Sequence, residues 1–76
     1  MKSVNVKLDT VEKVKGFVNI IQTFDGDFDL SSERYVVDAK SIMGIFSLDL
    51  ANTLRLDIHD GSEADKVIEL LKDYSA

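Results

Sequence analysis

Few residues of this chain are equipped for covalent or acid–base chemistry. It holds one histidine, His59, and no cysteine, which excludes a thiolate nucleophile, a disulfide and a cysteine-based zinc site. His59 closes a run in which Leu54, Leu56 and Ile58 alternate with Arg55 and Asp57, a pattern that predicts an exposed histidine at a strand end. The carboxylates at Asp25, Asp27 and Asp29 and at Asp57 and Asp60 lack the regular calcium-loop spacing with its terminal glutamate, and they read as solvated turns. No metal and no cofactor is expected. The remaining candidate is Ser41, which opens the stretch Lys40 to Leu50. Its placement suits a helix N-cap, worth about 1 kcal/mol. A phosphate on the same hydroxyl would also meet free amides and the positive end of the helix dipole. The residues that follow, Ile42, Met43, Ile45, Phe46 and Leu48, are more apolar than one short buried turn requires, so this stretch is expected to bind something.

Periodicity predicts the elements that must position these residues. From Ser3 to Leu8 the chain alternates, with Val4, Val6 and Leu8 on one face, as a strand buried on one side requires. From Val11 the period becomes helical: Val14, Phe17, Ile21 and Phe24 share a face, flanked by Val18 and Ile20. The start of this helix is left open, since Asp9 and Glu12 are spaced as a capping box that begins it at Thr10, whereas Gly16 would suit a first turn better than a middle one. Asp25-Gly26-Asp27 stops it. A short strand carrying Phe28 and Leu30 turns at Ser32-Glu33 into a third strand from Arg34 to Asp38, rich in β-branched and aromatic residues. The Ser41 helix comes next, Asn52 breaks the chain, and the fourth strand follows. Asp60-Gly61-Ser62 reads as a turn leading into a helix capped by Ser62 and Asp65, whose buried stripe is Ala64, Val67, Ile68, Leu71 and Tyr74.

The order strand, helix, strand, strand, short helix, strand, helix implies an α+β domain with an antiparallel sheet covered on one face. Asn5, Lys7, Asp29, Arg55 and Asp57 would line the open face. The 76 residues are expected to form one domain, burying only about 60% of the surface of the unfolded chain. A net charge of −5 repels phosphate backbones and anionic lipid, which disfavours nucleic acid and membrane surfaces as partners. With neither a basic-then-apolar leader nor a run of about 18 apolar residues, the expected location is the cytoplasm.

The run Lys40-Ser41-Ile42-Met43-Gly44 followed by Ser47-Leu48 resembles the second helix of HPr, the phosphocarrier of the bacterial sugar phosphotransferase system. Gln22-Thr23, and Asp60-Gly61 with Glu63-Ala64-Asp65, match more weakly. The resemblance implies the open-faced β-sandwich of HPr type, a four-stranded antiparallel sheet covered by two longer helices and one short one (βαββαβα). A ferredoxin-like small-molecule sensor has nearly the same element order without the middle helix, so order alone leaves both open. In HPr the first strand leads into a Gly-Ile-His-Ala-Arg-Pro type motif whose histidine takes the phosphoryl group. Aligned without gaps, this chain reads Val11-Glu12-Lys13-Val14-Lys15-Gly16, with Lys13 at the phosphoacceptor position.

That exchange is chemically severe. An imidazole with a reference pKa near ~6.5 offers a lone pair at neutral pH, whereas a lysine near ~10.4 is almost wholly protonated. Lys15 stands where an arginine would clamp phosphate in two-point fashion, and Gly16 replaces the proline that presets the first turn. The resemblance further implies a docking surface for partner proteins at Lys13, Val14, Lys15, Val18, Ile42, Met43 and Phe46, with Ile45 and Leu48 facing inward. Phe46 is either part of that surface or buried by a tilt of the helix. Ser41 corresponds to a serine that a dedicated kinase modifies in many Gram-positive bacteria, which makes it a candidate regulatory phosphosite. The expectation is a non-enzymatic HPr-like binding or regulatory module, without a phosphoacceptor histidine, whose partners are phosphotransferase-system or regulatory proteins. A phosphoryl relay through a non-standard acceptor and a small-molecule sensor are the alternatives.

Overall fold

In the computed structural model, residues 2–59 and 61–76 are described; the turn expected at Asp60 lies outside the described residues. The first strand, β1 (Lys2–Val6), pairs antiparallel with β4 (Leu54–Ile58), Lys2 opposite Ile58 and Val6 opposite Leu54. On its other side β4 pairs with β2 (Phe28–Ser31), which pairs with β3 (Val36–Asp38). The sheet is four-stranded and antiparallel, in the order β1-β4-β2-β3. Period-two alternation decides its faces: Val6, Phe28, Leu30, Leu54, Leu56 and Ile58 are buried beneath the helices. β3 is shorter than the expected Arg34 to Asp38, because Arg34 and Tyr35 belong to the turn, where the Ser32 N–H donates to the Tyr35 carbonyl at 2.9 Å.

The first helix, α1 (Val11–Ile21), is capped by Thr10, whose hydroxyl accepts from the Lys13 backbone N–H at 3.1 Å. The spacing of Asp9 and Glu12 suggested a reciprocal box; instead Asp9 turns to the Lys13 ammonium at 3.1 Å. Gly16 therefore falls in the middle of the helix, so of the two starts left open the one near Thr10 holds. The reason is tertiary: a Cβ at Gly16 would overlap the Tyr74 hydroxyl, and the Tyr74 ring packs edge-on to Phe17 with centroids 6.4 Å apart. Close approach of the C-terminal turn offsets the helix-propensity cost of glycine, about 1 kcal/mol.

α1 ends at Ile21, earlier than the Asp25-Gly26-Asp27 stop suggests, and Phe24 is buried from the turn that follows, where Gly26 takes a φ of 95°. The short helix α2 (Ile42–Phe46) lies between β3 and β4. The last helix, α3 (Ala64–Leu70), is preceded by a 3₁₀ turn at Gly61–Glu63 and followed by another at Lys72–Tyr74. Glu63, not Ser62, occupies its N-cap position and supplies no side-chain bond, because the 3₁₀ turn delays the helix start. The expected stripe holds, with Ala64, Val67 and Leu71 buried and Ile68 and Tyr74 partly so. No helix among the described residues is long and apolar enough to cross a membrane.

Candidate functional site

The site is built at two helix starts. At the start of α1, residues 11–13 follow β1 after a short loop. Val11 is 51% exposed and Glu12 and Lys15 are exposed. The Lys13 side chain is half-exposed and its ammonium is committed to Asp9. That hydrogen bond, aided by the charge of Lys13, holds the Asp9 carboxyl below the usual carboxylate range. An ammonium paired in this way has no lone pair to offer, so Lys13 contributes a positive surface charge to the α1 start.

His59 does not complete this corner. Its position follows from the β1–β4 register: Ile58 is opposite Lys2, at the start of β1, whereas α1 follows the far end of β1 at Val6. Its Nε2 lies 2.7 Å from Asp29 Oδ2 on the open face. Among the described residues no group of histidines and carboxylates could hold a metal ion.

At the start of α2 the Ser41 hydroxyl accepts from the Gly44 N–H at 3.1 Å, and Ser41 has the extended backbone of an N-cap. Within this single turn the side chains divide sharply. Ile45 and, just beyond, Leu48 are buried, while Met43 is 81%, Phe46 42% and Ile42 36% exposed. The question left open for Phe46 is thereby answered on the side of exposure.

Val14 and Val18 are the correction. Both were expected at the docking surface, yet they are 0% and 1% exposed, because they share the inward stripe of α1 with Phe17 and Ile21 and pack into the core. A side chain without solvent contact cannot dock a partner, so what α1 presents near its start is Val11, Glu12, Lys13 and Lys15.

Lys40 positions the start of α2, a role that its place in the sequence does not signal. Its ammonium donates to the Phe24 carbonyl at 2.7 Å and sits 5.5 Å over the Phe28 ring, while Gln22 Nε2 donates to the Lys40 carbonyl at 3.3 Å. These contacts tie the α2 start to the α1 end. Asp57 also departs from expectation: placed on the open face, it is nonetheless only 7% exposed, enclosed by the Ser3 hydroxyl at 2.6 Å and the Arg55 guanidinium at 3.1 Å. Alternation gives the face of a residue, not the cover its neighbours provide. A cleft of about 620 Å³ opens between the β2–β3 turn and the α2–β4 loop, with Arg34, Tyr35, Ser47 and Asn52 in its wall.

Comparison with known proteins agrees with this geometry. Residues 13–76 match the PTS-HPr family, described as the PTS HPr component phosphorylation site. Among solved structures, HPr-C-His from Thermoanaerobacter tengcongensis superposes with a TM-score of 0.80 at 28% identity, over 96% of this chain and 89% of that one. The phosphocarrier protein HPr from Bacillus anthracis str. Ames superposes with a TM-score of 0.66 at 31% identity, over 99% of this chain and 94% of that one. No curated protein sequence matches significantly.

Proposed function

Because the chain belongs to the HPr family of the bacterial phosphotransferase system, we propose that it works as a binding or regulatory member of that family, not as an enzyme. Residues 1–76 would act as one HPr-like domain in the cytoplasm, docking protein partners through α2 and the exposed start of α1. The observation that carries this reading is the exposure of Met43, Phe46 and Ile42 on a helix whose Ser41 cap is intact. An aromatic and a methionine gathered on one turn suit the apolar centre of an interface. Lys13 and Lys15 would add positive charge that speeds encounter with an acidic partner surface.

In this reading Lys13, at the phosphoacceptor position, accepts no phosphoryl group, and the bound ammonium of the Asp9 pair supports that. Ser41 would be the regulatory phosphosite. A phosphoryl group there would replace a neutral cap acceptor with a dianion beside the same amides.

A second reading has a specific observation in its favour: the matching family is described by its phosphorylation site. A phosphoryl relay through a residue other than histidine is the form it would take here. The test of the first reading is a binding titration of wild type and Phe46→Asp against the phosphotransferase-system enzymes. Wild type should bind at least one of them, and the variant should lose at least tenfold in affinity while melting as wild type does. Equal binding by a folded Phe46→Asp variant would refute docking through α2.

A further inference from the structure

The two edges of the sheet are treated differently. Beyond β1 the chain covers its own edge: Ser75 bridges Val6, the Lys7 N–H donates to the Tyr74 carbonyl at 2.8 Å, and the Ala76 N–H donates to the Asn5 carbonyl at 3.2 Å. No such segment lies along β3 among the described residues, and Tyr35 and Val36 at this edge are 63% and 66% exposed. An uncovered edge with β-branched residues is a template for another strand.

Charges on the open face say which strand. The cross-strand row Ser3, Asp57, Asp29, Asp38 sets three carboxylates side by side, which is repulsive. Asp57 has Arg55, and Asp29 has His59. Asp38 has only the Lys40 backbone N–H, at 2.9 Å, and no ion pair with a described residue. Arg34 is its converse, a guanidinium with no carboxylate in ion-pair reach among the described residues. The two unmatched charges lie two residues to either side of Val36.

Backbone direction agrees with this symmetry. The Ala39 N–H donates to the Phe28 carbonyl, and the Tyr35 carbonyl accepts from Ser32. In the antiparallel alternation, residues 35, 37 and 39 therefore turn their backbone groups toward β2, and Val36 and Asp38 turn theirs outward, while Arg34 lies in the turn just ahead of the strand.

We propose that β3 pairs with β3 of a second copy of this chain, antiparallel about a twofold axis at Val36, so that one sheet runs through the dimer. Val36 then exchanges backbone hydrogen bonds with Val36 of the partner subunit. The Arg34 side chain, from the turn two residues ahead of Val36, then comes beside Asp38 of the partner subunit, and Asp38 beside Arg34 of the partner subunit, as an isologous interface requires. Twofold registers centred on Asp38, or on Arg34 ahead of the strand, would set like charges against each other and are disfavoured. A three-residue strand makes a small interface, so the dimer is weak and concentration-dependent.

Sedimentation equilibrium from roughly 10 μM to 1 mM tests this with charge reversals. Wild type should shift from monomer toward dimer across the range. Arg34→Asp and Asp38→Arg should each weaken the dimer roughly tenfold or more, since both cross-strand pairs become repulsive. An equimolar mixture of the two reversed chains should dimerise again, as should the chain carrying both changes. Thermal melts establish that each variant is folded, and Arg34→Gln with Asp38→Asn replaces any that is not, with loss of dimer expected again. Wild type that stays monomeric throughout, a dimer indifferent to the single changes, or a mixture that fails to recover it would each overturn the proposal. Docking through α2 is read by a different experiment and can stand or fall separately.

Discussion

The start of α1 and the short helix α2 are each capped by a hydroxyl, Thr10 in one and Ser41 in the other, yet they offer different things to a partner. Thr10 accepts from the third helical residue, Lys13, and so does Ser41 from Gly44. What the caps present differs. Above Thr10 stands a charged amine bound to Asp9; above Ser41 stand Ile42, Met43 and Phe46, apolar and exposed. Equivalent backbone architecture can thus serve electrostatic contact at one helix start and hydrophobic contact at the other.

The comparison can be broken first within α2 itself. Ile45→Ala removes a side chain with no exposure and should cost about 2–5 kcal/mol in unfolding free energy, whereas Met43→Ala should stay within about 0.5 kcal/mol. Equal losses in denaturant titrations would mean that the helix does not divide into a core face and a free face. Next in size, Ser41→Ala should cost about 1 kcal/mol by removing the acceptor for the Gly44 N–H, and fraying of this single turn should weaken partner binding as well. A Ser41→Ala chain as stable as wild type would place the cap elsewhere.

The smallest effect belongs to the α1 start. The Asp9 carboxyl titrates below its unfolded value because Lys13 hydrogen-bonds it. The pair therefore contributes stability that is present above the unfolded carboxylate value and is lost as pH falls through the folded one. Melts of wild type and Asp9→Asn should differ slightly at neutral pH and converge in acid. A difference that grows in acid would contradict the pairing.

Much of this molecule was legible in its sequence because period and burial coincide in a sheet covered on one side. Leu54, Leu56 and Ile58 gave β4, and Ser41 gave the α2 cap. What the sequence left open or misplaced depends on more than local spacing. Gly16 sits mid-helix on account of Tyr74, nearly sixty residues away. Val14 and Val18 were assigned to a surface by resemblance although their own spacing put them on the stripe with Phe17 and Ile21, and the stripe was right. Val11 shows the opposite limit: it fits the same i, i+3 pattern as Val14, but at the first turn of the helix it stays exposed. Periodicity ranks residues around a helix and says little about where along it the core stops.

Incubation of the chain with phosphoenolpyruvate, the first enzyme of the relay and a radiolabel tests the reading most directly, because it asks the α1 start for the chemistry that a paired lysine lacks. The expected result is no covalent label on this chain while a histidine-bearing HPr in the same tube is labelled. Stoichiometric, acid-labile label on this chain would contradict the account and establish a relay through another acceptor.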